Sequence, residues 1–135
     1  MEPYIKSFIM CDSVGKDISG RPIFSGVFDR LRGITFPSVI SFCIITEWVV
    51  EGGNYKEEIK VLTQQKDKTY FEIPPRNFSS DKQVSVKKFI LPLTNFPLYK
   101  PGMILWFQVF LNEKLYTEVP VAIETKISRI IGGKK

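Results

Sequence analysis

The residues that could do chemistry are few, and they are carboxylates, thiols and arginines. The chain has no histidine. That removes histidine-dependent nucleophile triads and the commonest general base. Two cysteines, Cys11 and Cys43, cannot build a four-ligand zinc site with scattered carboxylates. Isolated in apolar stretches, they read as small core residues. A disulfide would require their strands to be neighbours with close Cα atoms. Asp12, Asp17 and Asp29 raise the question of calcium, which sits in loops held by several carboxylates. Lys16 and Arg21 oppose a divalent cation there, so turn aspartates are the better reading. Gly15, Gly20 and Gly26 lack the spacing of a phosphate-binding loop. A carboxylate pair for glycoside hydrolysis is allowed by residue type, but no cleft marks one. No catalytic residue, metal ligand or cofactor is expected.

Charge offers a second kind of chemistry. There are 19 Lys and Arg against 14 Asp and Glu, a net charge of +5. The excess concentrates in residues 76–100, with Arg76, Lys82, Lys87, Lys88 and Lys100 against Asp81. A solvated face is the preferred reading. A polyanion site is the alternative, but the segment lacks the arginine density and aromatic interleaving of a dedicated binder. No specific nucleic-acid binding is expected.

The elements that position these groups read as strands. Met103 to Leu111 puts Leu105, Phe107, Val109 and Leu111 on one face, and Ile104, Trp106, Gln108 and Phe110 on the other. Asn112-Glu113 is a tight turn, and Lys114 to Lys126 a second strand. Pro120 cannot donate to a ladder, which places that strand near an edge or at a bulge. The first strand, apolar on both faces, is central.

Earlier strands are predicted at Tyr4–Cys11, Pro22–Phe28 and Val39–Val50. Lys6 breaks the alternation of the first, and Gly26 marks a bulge or close backbone approach in the second. Ile40, Phe42, Ile44 and Trp48 pack one way. Asp12–Arg21 is predicted as a polar loop. Asp29–Ser38 is a connection with room for one helical turn. Asn54–Gln65 fits a strand, or a helix capped by Asn54 with Glu57 three residues on. The surrounding strands favour the strand. Lys68–Ile73 and Gln83–Leu93 complete the set, with a polar excursion at Asn77–Lys82.

About eight strands and no long helix predict an all-β fold: a two-sheet antiparallel β-sandwich, immunoglobulin-like by strand count. Residues 1–126 form one domain and 127–135 a tail, in which Ile127, Ile130 and Ile131 could dock. No segment reaches the length of a membrane span, and Met1-Glu2-Pro3 does not open a signal sequence. A cytoplasmic protein with free thiols is expected.

Asp12, a glycine-containing loop, Gly26-x-Phe28-Asp29, then Phe36-Pro37 and an apolar strand form an ordered motif. A late Pro101-Gly102 precedes another apolar strand. This pattern resembles a family of short bacterial proteins known only as a domain of unknown function. The resemblance implies a β-sandwich in a bacterial cytoplasm and no activity. Residues 54–83 depart from it. Structurally, Asp29 could cap a turn while Phe28 and Phe36 fill the sandwich end. Functionally, Asp29, Arg30 and Arg32 could form a binding site.

The leading expectation is a non-enzymatic module acting through protein contacts. Ile104, Trp106 and Phe110 would leave an apolar patch on the outer face, which suits a homodimer. The alternatives are a weak polyanion binder through residues 76–100, and a ligand carrier or enzyme with a pocket between the sheets.

Overall fold

The computed structural model describes residues 1–81 and 83–126. Ten strands run in chain order: β1 (Tyr4–Lys16), β2 (Pro22–Phe28), β3 (Leu31–Gly33), β4 (Ser38–Val50), β5 (Gly53–Leu62), β6 (Thr69–Phe71), β7 (Arg76–Ser80), β8 (Ser85–Leu98), β9 (Ile104–Leu111) and β10 (Lys114–Thr125). The described residues contain no helix. The tail, whose isoleucines could dock, and Lys82 of the basic segment lie outside the described residues.

The strands form two sheets. The first has the order β2-β1-β4-β8. The second runs β3-β10-β9-β5-β6, with β7 also paired to β5. All pairings are antiparallel except β3 with β10, which is parallel, so the expected wholly antiparallel sandwich is corrected at that edge. In an immunoglobulin sheet the first strand lies at the edge; here β1 is flanked by β2 and β4.

Alternation decides which side chains fill the space between the sheets. From the second sheet come Leu105, Phe107, Val109 and Leu111 of β9, with Val61 and Val121 beside them, all buried. From the first come Phe42, Ile44, Trp48 and Val50 of β4. Phe96 lies among them, its ring centroid 5.2 Å from that of Phe42 and 6.2 Å from that of Phe107. The expected facing of both strands therefore holds. Asn112 and Glu113 adopt φ values of 49° and 68°. Those are the left-handed conformations that a two-residue hairpin turn needs.

Several expectations need correction. β1 continues through Asp12 to Lys16, where a loop was predicted, because residues 13–16 pair in register with β2. Its broken alternation at Lys6 is a register shift between Ile5 and Ser7. The connection after Phe28 holds no helical turn; it holds β3. The polar excursion after Pro75 holds β7, which pairs with β5 from Gly53 to Glu57. Residues 54–62 are strand, as favoured. Pro120 sits opposite Trp106 on β10. The other side of β10 pairs only from Ile123 onward, so the missing N–H of Pro120 faces an unpaired edge or the β9 ladder without disrupting β3.

Glu57 is a charged group inside this core, only 4% exposed. Its Oε2 accepts hydrogen bonds from Thr46 Oγ1 and Trp48 Nε1, both at 2.6 Å. The donors belong to β4 and the acceptor to β5. The contact therefore ties one sheet to the other, close to the point where the chain crosses between them.

Candidate binding groove

Two surfaces carry the residues singled out from the sequence. The first surrounds Asp29, Arg30 and Arg32. The short turn from β2 to β3 carries the chain from the edge of one sheet to the edge of the other, and sets these three side chains at that crossing. Arg30 Nε donates to Asp29 Oδ1 at 3.1 Å, and Arg30 Nη1 donates to Glu124 Oε2 at 3.2 Å. Arg32 Nε lies 3.8 Å from Glu124 Oε1. The Asp29 hydrogen bond, and then the charge of Glu124, push the Arg30 guanidinium further toward its protonated form. Asp29 caps no helical turn; it is an exposed partner of Arg30.

Beside them opens a notch of about 570 Å³. Its lining includes Asp12, Gly26 and Phe28 on one side, Leu31 and Arg32 on another, and Ile40 to Phe42 on a third. The strand pairing explains it. β1 is in register with β4 only as far as Cys11 opposite Cys43. From there β1 follows β2 instead. Residues 38–42 of β4 still pair with β8 on their other side. Their β1-facing edge has no strand partner among the described residues. Ile40, Ser41 and Phe42 of that unpartnered edge line the opening, together with the buried Leu31.

Gly26 belongs to this construction. Its φ is +68°, and a Cβ there would collide with the Asp12 carboxylate. A glycine admits both the backbone conformation and the close approach. Gly26 was legible from sequence as a close approach inside a strand. Asp12 was not legible as its neighbour, nor Ser41 and Phe42 as lining of the same notch, because nothing local shows where two strands part.

The second surface is the outer face of β9. Trp106 and Phe110 are half-buried there, and Ile104 is 37% exposed. Lys66 Nζ lies 4.2 Å from the Trp106 ring centroid, and Lys60 Nζ 4.7 Å from that of Phe110. Trp106 Nε1 donates to the Gln64 carbonyl at 3.1 Å. Glu118 accepts from Gln108 at 2.6 Å and from Lys66 at 2.8 Å. The face that suggested a dimer is thus roofed by lysine stems and a polar network of the chain itself. It does not join the groove.

The Gln108 amide, then Lys66, hold the Glu118 carboxyl below the usual carboxylate range. Its contribution to stability is therefore complete above that range and fades as pH falls through the depressed value. Glu118→Gln is expected to be less stable than the parent at neutral pH. The gap should close in acid, as read by urea midpoints across a pH series. A gap that persists unchanged at the acid end would assign the loss to packing instead.

The other candidate groups are accounted for locally. Asp17 Oδ1 accepts from the backbone N–H groups of Ser19 and Arg21 and from the Ser19 hydroxyl, closing the β1–β2 hairpin. Among the described residues no group of three Cys, Asp or Glu side chains could hold a metal ion. No described helix is long and apolar enough to cross a membrane. The basic segment is dispersed: Arg76 stacks over Phe89 at 4.7 Å, and Lys88 lies 3.7 Å from Glu47. Arg76 and Lys88 belong to different sheets.

Residues 6–124 match the model of a family described as a family of unknown function (DUF6941). No curated protein matches the chain.

Proposed function

We propose, for a chain that belongs to the DUF6941 family of unknown function, that it is a non-enzymatic binding domain that grips an extended polypeptide in the groove beside Arg30 and Arg32. The observation that carries this reading is the parting of β1 from β4. It leaves a strand edge at residues 38–42 without a strand partner on that side, and residues 40–42 of it line the opening. An extended segment entering there gains main-chain hydrogen bonds, and its alternate side chains reach the apolar lining. Arg30 and Arg32 at the rim favour carboxylates on the incoming segment, in competition with Asp29 and Glu124. A cytoplasmic setting belongs to the same proposal and fits two unbridged thiols.

The test compares partners recovered on the tagged parent chain with those on Arg30→Glu/Arg32→Glu. Both side chains are substantially exposed, so their reversal should leave the fold intact. Recovery of the main partner is expected to fall about tenfold, the loss that corresponds to roughly 1.4 kcal/mol of binding. Unchanged recovery would sink the reading. Loss on Trp106→Lys instead would move the contact to the outer face of β9, where a second copy of the chain is the natural occupant.

A further inference from the structure

Cys11 and Cys43 face one another as the last rung of the β1–β4 ladder. Residues directly opposite in an antiparallel pair have Cα atoms about 4.5 or 5.5 Å apart, depending on the rung type. Disulfides span Cα separations of about 4.4–6.8 Å. Either rung type therefore lies within bridging range. Opposite residues also project to the same face of a sheet. Here that is the face turned away from Phe42 and Ile44, since Cys43 lies between those two core residues on β4. Both cysteines are unbridged.

The two thiols differ in access. Cys11 is fully buried, whereas Cys43 is partly exposed. Burial, reinforced by the neighbouring Cys43 sulfur, pushes the Cys11 thiol up. Cys43 is thus the thiol that an oxidant meets, and Cys11 the one held in reserve behind it.

We propose that Cys11 and Cys43 form a reversible dithiol–disulfide pair, oxidised by a small-molecule disulfide such as oxidised glutathione. The Cys43 thiolate attacks one sulfur of the oxidant, forms a mixed disulfide and releases one reduced thiol. The Cys11 thiolate then attacks Cys43 Sγ and releases the second. Two protein thiols become one protein disulfide, and one oxidant disulfide becomes two thiols, with the two protons passing to the leaving thiolates. The bridge would fasten β1 to β4 at the rung where they separate, immediately beside Asp12 and Phe42. This inference stands on the register and on the unequal burial of the two thiols, and does not depend on what the groove binds.

The experiment uses the folded full chain in native buffer with graded ratios of reduced to oxidised glutathione. Free thiols are counted, and mass is measured without reductant. The expected product is a monomer lacking both thiols and lighter by two hydrogen atoms, restored by dithiothreitol. Cys11→Ala is expected to stop at the glutathione adduct on Cys43. Two thiols persisting in the parent at the most oxidising ratio would overturn the proposal. So would a stable glutathione adduct on the parent, or disulfides found only between chains. The parent's own products decide the matter even where Cys11→Ala fails to fold.

Discussion

Phe107→Ala is expected to remove about 3–5 kcal/mol of unfolding free energy, the usual cost of emptying a large aromatic site in a core. Phe107 is 0% exposed. Its ring centroid lies 6.4 Å from that of Phe8 in the opposite sheet and 6.2 Å from that of Phe96. On its own sheet it stands between Val61 and Val119 on the flanking strands. Truncation therefore removes contacts to both layers at once. The surrounding β-branched side chains are too stiff to close the space by rotating. Urea unfolding at equilibrium is the measurement. A loss below about 1 kcal/mol would place the residue among surface substitutions and contradict the packing.

Glu57→Ala is expected to be nearly as damaging, at about 3 kcal/mol or more, for a different reason. The substitution removes the acceptor for two buried donors, and each orphaned donor costs about 1–3 kcal/mol. Trp48 is 0% exposed and Thr46 2%, so water cannot replace the carboxylate without opening the core. Glu57→Gln, which keeps one acceptor oxygen, should lose substantially less. The triple change Glu57→Leu, Trp48→Phe, Thr46→Val should recover much of the loss, because it removes donors and acceptor together. If the triple variant is no more stable than Glu57→Ala, the deficit comes from lost volume rather than unmet hydrogen bonds.

Much of this architecture was readable wherever alternation and turn chemistry agreed. β9, its turn and β10 met both conditions, and β4 declared its inward face through Ile40, Phe42, Ile44 and Trp48. Glu57 shares the parity of Ile59 and Val61, so its inward direction was legible. Its charge argued the other way, and only the donors on a distant strand resolve the conflict. β3 and β7 escaped because they are short and polar. Each is a strand through the partner that supplies its hydrogen bonds: Ile123 stands opposite Leu31, and Tyr55 opposite Phe78. The extension of β1 escaped for the same reason. The arginines of the groove were legible as a charged cluster in a motif. The groove itself arises where one strand changes neighbours, and no periodicity records such an event.

The strand order also has a consequence in time. β3 waits for β10, and β5 needs β9 to cover one of its edges. As the chain leaves the ribosome, the second sheet therefore has no middle until residues beyond 104 have been made. β4 likewise stays half-covered until β8 appears. Contacts this distant along the chain make folding slow relative to local pairing. The apolar faces of β4 and β5 spend that interval without their final neighbours. A nascent chain arrested before β9 is thus the form in which this sandwich is most prone to aggregate, and the one on which a chaperone would have most to hold.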